Sequence, residues 1–388
     1  MKPFDFDICV SGNGAVARVL ALLLSGQGWR VAWAGQAETA APAGPDVRAY
    51  ALNARSVALL TRLRIWSQLQ RFASPVHEMH VQGDDGGTLS FSAWQQRVTE
   101  LAWIVDAAEL ERLLGEALRF AHHVTLLPAD ALQGGAQAVS AALLAVCEGK
   151  ASATRDTLGV AFTREDYGHR AIAARLTASR PHVGVARQWF RSPDVLALLP
   201  FNAPEPASSY ALVWSMPDAQ AQALLALPAE AFEAALMQAL SQSDAQVRAN
   251  VGELKLASPL ASWPLAMARA DRWSGPGWVL LGDAAHQVHP LAGQGLNLGL
   301  ADAEALATIL AEARRAEPWR SPGDERLLRR YARERWWPTQ AMAGVTDGLL
   351  KLFAHDQSPL RELRNRGMGL LDQLPPVKRW LSSRALDN

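Results

Sequence analysis

Apolar positions along the chain fall into short unbroken runs and longer helical stripes, and the order of the two is the first guide to the fold. Asp7 to Ser11 (DICVS) is a short apolar run that enters Gly12-Asn13-Gly14. An apolar helical stretch follows from Ala15 to about Ser25, closed by Gly26 and Gly28, and Trp29 to Ala34 (WRVAWA) reads as a second strand. Strand, glycine turn, helix and strand make the opening βαβ unit of a dinucleotide-binding fold. A Gly/Pro/Ala loop at 35–46 precedes a helical stretch through Ser56 to Trp66. Residues 76–97 alternate around Gly83, Gly86 and Gly87 as hairpin strands do.

Further along, Ala107 to Ala121 predicts a helix and Ala141 to Cys147 a buried strand. Short strand-like runs from Ile172 to Val213, separated by Pro, Ser and Asn, predict a mainly antiparallel sheet. Pro228 to Ser241 is helical in pattern. Trp278 to Leu281 (WVLL) is another buried strand, leading through a turn into a helix from about Gly295 to Ala313, and the remainder is helical in pattern.

Composition narrows what such a chain can do. With 388 residues, 49% of them apolar and 20% charged, it can bury a large core and is not a disordered protein. The 38 basic and 38 acidic side chains cancel, so no overall field invites nucleic acid. The balance is uneven in space: from Arg314 to Asn388 there are 15 Lys/Arg against 9 Asp/Glu. Such a tail is either a solvated helical face or a surface for an anionic membrane or acidic partner. The N-terminus lacks the cationic and apolar segments of a signal peptide, and no apolar run approaches the roughly 18 residues of a membrane span. The expected compartment is therefore the cytoplasm. Cys9 and Cys147 sit in apolar runs and are expected to be inert core thiols.

Two glycine-rich turns carry the chemistry. In Gly12-x-Gly14-x-x-Ala17 the first glycine permits a tight turn, and the second lets backbone approach a pyrophosphate at the helix N-terminus. The third position needs a small residue for close helix–strand packing. The acidic residue that should end the second strand and bind ribose hydroxyls is missing: Gly35 stands there, with Glu38 the nearest carboxylate. The second turn is Gly282-Asp283-Ala284-Ala285-His286-x-x-His289-Pro290-x-x-Gly293-Gln294-Gly295-Leu296-Asn297. A strand delivers the Asp283 carboxylate to the sheet end, where it can accept from sugar-alcohol hydroxyls. The following glycines open a helix whose free amides suit a ring that becomes negative on reduction. No metal site is expected at His286/His289 or at His77/His80, because no Cys or carboxylate pattern supports one.

The segment Gly282 to Asn297 resembles the flavin-binding signature of the aromatic-ring flavoprotein hydroxylases of the p-hydroxybenzoate hydroxylase fold, and the chain is most similar to the ubiquinone-biosynthesis hydroxylases among them. Arg48 to Asn53, Asp166-Tyr167, Gln188-Trp189-Phe190, Leu198 to Pro200, Leu212 to Trp214, Leu296 to Asp302 and Arg330-Tyr331 match as well. The resemblance implies an α/β protein: a Rossmann-like FAD-binding domain (residues 1–75, 98–175 and 263–335), an inserted, mainly antiparallel β-sheet substrate domain (76–97 and 176–262), and a helical C-terminal segment (336–388). It implies that Gly12, Gly14 and Ala17 hold the FAD pyrophosphate and that Arg48 pairs with phosphate. By the same resemblance, Gly282 and Asp283 serve the ribityl or pyrophosphate region, Pro290 lies beside the isoalloxazine, and Gly293, Gln294, Gly295, Leu296 and Asn297 cover its pyrimidine edge. The family's Asp-Gly fingerprint, which serves FAD and NAD(P)H, reads Glu148-Gly149 here, one methylene longer.

The activity implied is hydroxylation of a phenolic ring by FAD with NAD(P)H and O₂, on a polyprenylphenol intermediate of ubiquinone biosynthesis. No catalytic base is assignable from the residues. A greasy substrate implies contact with the inner face of the membrane or with a quinone-synthesis complex, and the basic tail with Trp336-Trp337 is the candidate surface. Two alternatives are a hydroxylase of a small soluble aromatic and, given Gly35 and Glu148, a flavin-poor non-catalytic scaffold subunit. Trp189 and Trp214, in the substrate-domain runs, are candidate contacts for an aromatic substrate; core packing would use the same residues.

Overall fold

The computed structural model describes residues 4–35, 46–83, 87–128, 131–132, 138–287 and 294–354. Its opening unit is the one the apolar runs predict: strand Phe6–Ser11, helix Ala15–Gly26 and strand Val31–Ala34. The first strand pairs in parallel with Val31–Ala34 on one side and with Ala141–Val146 on the other. A parallel strand in that position must be apolar on both faces. Ile8 and Val10 pack under the helices, while Cys9 packs with Ala32, Leu144 and Trp278 on the opposite face. Strands Trp278–Leu280, Ser274–Gly275 and Val124–Leu126 complete six strands.

Helices Ala15–Gly26, Ala107–Arg119 and Gln294–Ala316 cover one face of this sheet. The long helix Glu325–Ala354 docks on the sheet through buried Tyr331, whose hydroxyl donates to the Leu280 carbonyl at 3.1 Å. Both cysteines are buried, and desolvation pushes the Cys9 thiol up to about 12, so neither is a nucleophile at neutral pH.

The second large sheet has nine strands and is antiparallel at every pairing except that between Val185–Arg191 and Glu78–Gln82. The expected hairpin at 76–97 is strands Glu78–Gln82 and Thr88–Ser92, which form an edge of this sheet. Its central strand runs from Phe162 to Ala178, ten residues upstream of the first apolar run that announced it. The early half (FTREDYGHR) is polar and reads as loop. It becomes strand because Ala261–Ala270 pairs along it, with a register shift between Asp166 and His169.

One face of the sheet packs through Leu196, Leu198 and Tyr210 on helix Ala229–Ser243, which contributes Phe232, and Trp189 and Trp214 lie in that core. The Trp214 indole donates to Asp194 at 2.6 Å. Core packing accounts for these two rings; they are on the side away from the cavity described below.

Candidate functional site

Where the two large sheets meet, a cavity of about 1000 Å³ opens. Gly12, Gly14, Arg48, Glu148, Gly149, Gly282, Asp283, Gly295 and Leu296 all line it, although they come from four separate stretches of sequence. Ala17 is fully buried beneath the first helix, where its small side chain permits close packing. Pro290, Gly293 and His289 lie outside the described residues, as does Glu38; Gln294 is described only as the first residue of its helix.

The glycine turn is held from behind. Gly12 has φ +125°, and a Cβ there would stand 2.3 Å from the Cys147 carbonyl oxygen, so only glycine fits. Helix Ala15–Gly26 begins at Gly14 with no side-chain cap and no acidic residue in its first turn. Its leading amides therefore remain available to an anion. Buried Arg18 braces the turn by donating to the Asn13 carbonyl at 3.0 Å and to Asn13 Oδ1 at 3.1 Å.

Glu148 acts as a clamp. Its carboxylate accepts from the Ser11 hydroxyl at the end of the first strand, from Ser152 Oγ at 2.7 Å, and from the Thr154 hydroxyl and amide, the amide at 3.1 Å. Burial opposes ionisation, but these four donors outweigh it and hold the carboxyl below its ordinary range. The longer side chain is thus used to tie the Glu148-Gly149 turn to the first strand. Ser11 carries no motif of its own, so nothing in the sequence marked it.

Arg48 forms a fork with Asp46, Nε to Oδ1 at 2.9 Å and Nη2 to Oδ2 at 2.7 Å, and reaches Glu111 at 3.3 Å. The guanidinium stands at the cavity wall, paired with these two carboxylates. Behind it, Arg175 of the nine-stranded sheet donates to the Arg48 carbonyl at 2.7 Å and to Asp106 at 3.2 Å, and lies over the Phe201 ring. This buried cation fastens the second sheet to the segment that leads into strand Ala49–Leu52.

Asn297 does not face the cavity. Its Oδ1 accepts from the Asn53 amide at 3.1 Å and Ser56 Oγ at 2.7 Å, and its Nδ2 donates to the Ala51 carbonyl at 2.7 Å. The side chain staples the last helix of the motif to the Arg48–Asn53 segment. Asp283 opens on the cavity, yet desolvation by the surrounding wall raises its carboxyl; His286 and Lys150 pull the other way, and Asp302 adds to the rise.

Beneath this turn lies a buried ionic cluster that sequence reasoning left unassigned. Asp302 accepts from the Gly282 amide at 3.0 Å, from His286 Nε2 at 2.7 Å and from Arg335 Nε at 2.7 Å. Burial alone would raise its carboxyl, but His286 and Arg335 hold it low. His286, whose ring stacks on Trp273 at 4.8 Å, is thereby a structural partner of Asp302. The signal was present in Leu296 to Asp302 and in the Arg-rich tail, but their contact spans 33 residues and no local spacing reveals it.

The far wall of the cavity is different in kind. Alternate residues of the nine-stranded sheet face it, among them Ala173, Ala197, Leu199, Ala211, Val213 and Trp263. Its polar members include Gln188 and Ser215, from the two strands that flank Asp194–Phe201, together with Arg187 and Gln287. No group of three or more His, Cys, Asp or Glu side chains placed to hold a metal occurs among the described residues.

In the basic tail, Arg320 pairs with Glu317 and Asp324, Arg329 with Glu325, Arg330 with Glu312 and Arg335 with Asp302. Much of the described positive charge is therefore neutralised within the chain. Trp336 packs on Trp273 at 5.5 Å, while Trp337 is 75% exposed. Residues 355–388 lie outside the described part, and among described residues no helix is long and apolar enough to cross a membrane.

Comparison with known proteins agrees with this geometry. Ubiquinone hydroxylase UbiL of Rhodospirillum rubrum is 30% identical over 397 residues, spanning 98% of this chain and 89% of that protein. The 3-demethoxyubiquinol 3-hydroxylase of Escherichia coli is 29% identical over 405 residues and spans 98% of both. Among solved structures, Pseudomonas aeruginosa PqsL in complex with 2-aminobenzoylacetate superposes with a TM-score of 0.74 at 21% identity, covering 93% of this chain and 99% of that one. The p-nitrophenol 4-monooxygenase PnpA of Pseudomonas putida superposes with a TM-score of 0.73 at 17% identity, covering 98% and 97%; both likenesses concern the fold. The sequence profile described as FAD binding domain matches residues 5–344, from the first strand into the long tail helix, and the chain belongs to that family.

Proposed function

We propose that the protein is an FAD-dependent monooxygenase that hydroxylates the phenolic ring of a polyprenylated intermediate in ubiquinone biosynthesis, using NAD(P)H and O₂. The observation that carries this reading is the single cavity joining a phosphate-ready helix start to an apolar, small-residue wall. FAD, when bound, supplies the redox chemistry that activates oxygen. The chain's part is placement. Gly12, Gly14 and the uncapped helix amides face the pyrophosphate, Arg48 shares its charge with a phosphate, and Asp283 accepts from the ribityl chain. Glu148 and Asp302 hold the two turns in place without touching the substrate. The wall built from Ala173, Ala197, Ala211 and Leu199 excludes water and accepts the ring and the start of its tail.

In this reading the six-stranded sheet and its helices form the flavin domain, the nine-stranded sheet forms the substrate domain, and the tail from residue 336 carries the membrane or complex contact. Strands Phe162–Ala178 and Ala261–Ala270 of the nine-stranded sheet run across the expected boundaries at 175/176 and 262/263, and that sheet also takes in His286–Gln287. Purified protein reconstituted with FAD and assayed for NAD(P)H oxidation and ring hydroxylation decides the matter. Turnover of a short-chain prenylphenol well above that of water-soluble phenols is the expected result. Flavin uptake with equal turnover of both would make the substrate a small soluble aromatic, and failure to take up flavin would sink the enzyme reading.

A further inference from the structure

The Trp33 ring fills the space that a side chain at position 35, just past the second strand, would need. Gly35 directly follows the second strand, Val31–Ala34, which carries Trp33. An acidic side chain at position 35 would serve the ribose hydroxyls. Here a Cβ on Gly35 would stand 2.5, 2.7 and 3.0 Å from three carbons of the Trp33 indole. The ring is pinned there: its Nε1–H donates to the Gly12 carbonyl at 2.8 Å, and the Arg18 guanidinium lies 5.9 Å from the ring centroid. It also packs against the core beneath the first helix. The indole is thus tied to the phosphate turn itself, so a side chain at position 35 and the ring compete for one volume.

We infer that Trp33 and Gly35 are an exchanged pair, in which an indole fixed to the Gly12 turn replaces the carboxylate grip on the adenosine ribose and lowers the chain's preference for FAD over FMN. This rests on the FAD reading above. The ring contributes apolar contact and a prop for the Gly12 carbonyl, but no charged acceptor for a hydroxyl pair. Loss of a charged hydrogen bond weakens binding about tenfold or more. That loss falls on FAD alone, because FMN has no adenosine. The missing acid also cannot be restored by one substitution, since glutamate at position 35 meets an anchored ring.

The experiment is a double-mutant cycle read by flavin titration of purified apoprotein, following flavin fluorescence with FAD and with FMN separately. Wild type, Gly35→Glu, Trp33→Val and the double variant are compared, with Trp33→Leu/Gly35→Asp as a second double variant should the first not fold. The expected result is that glutamate brings no gain with Trp33 present, whereas the double variant binds FAD about tenfold or more tighter than wild type and FMN no tighter. Equal effects of Gly35→Glu in both backgrounds, or no FAD gain in a folded double variant, would overturn the inference. Wild type that binds neither flavin would instead overturn the cofactor reading, so the two failures are distinguishable.

Discussion

The two ends of the cavity are built on opposite principles. At the flavin end, backbone turns at Gly12, Glu148-Gly149 and Gly282 are each fastened by a polar group: buried Arg18, half-buried Glu148 itself and buried Asp302. At the other end, a sheet face made largely of alanine, valine and leucine lines the space with few polar atoms. The first end fixes positions to tenths of an ångström through directional bonds; the second fixes only a volume. Substitutions should therefore act through stability and flavin affinity at one end, and through substrate choice at the other.

The largest separation is expected from Asp302→Ala, which leaves Arg335 and His286 buried without their acceptor. Removing one partner of such a cluster costs about 3–5 kcal/mol, measurable as a lowered denaturant midpoint, together with weakened flavin binding because the Gly282 amide loses its partner. Unchanged stability would show that the cluster does not brace the turn. Gly12→Ala comes next. Its positive φ and the Cys147 carbonyl together make a cost of about 2–3 kcal/mol, with flavin affinity falling in the same variant.

This contrast also explains what the sequence disclosed. The turns were legible because a positive φ, or a backbone that must approach a phosphate, demands glycine at a fixed spacing, so Gly12, Gly14, Gly282 and Gly295 could be read directly. Their fasteners were not: Ser11, Asp302 and Arg335 meet their partners only after folding. Asn297 was read as part of the flavin cover because it sits in the motif, but its side chain is committed to Asn53, Ser56 and Ala51. The strand Phe162–Ala178 was longer than its apolar pattern because its polar half is held by pairing and not by burial. Trp189 and Trp214 illustrate the same limit, since alternation cannot say which face of a strand meets the cavity and which meets a helix.

At the substrate end the expected effects are on selectivity. Ala197 lies on the cavity face between its cross-strand neighbours Gln188 and Val213, and Ala197→Phe fills the space beside them. Turnover of a prenylated phenol should fall about tenfold relative to a compact phenol, while the FAD dissociation constant stays within about twofold of wild type, since the residue touches none of the turns. A parallel loss of FAD affinity would break the proposed division of labour.

The smallest effect is the acid dependence that Glu148 contributes at the flavin end. Glu148 has a carboxyl held below its ordinary value of 4.5 by the Ser11, Ser152 and Thr154 donors, against the opposing effect of burial. A depressed carboxyl contributes stability that is complete above the unfolded value and is lost as pH falls through the folded one. Wild type should therefore lose stability below about pH 4.5. Glu148→Gln, which no longer titrates, should show a shallower loss over the same window even though it is less stable at neutral pH. Asp302, Asp46, Glu304 and Glu233, also held low, keep part of the slope in both proteins. Gln188 is a neutral polar group of the opposite wall, so Gln188→Ala should leave the acid slope as it is in wild type. If it flattened the slope as Glu148→Gln does, the carboxylate clamp would not be what separates the two ends.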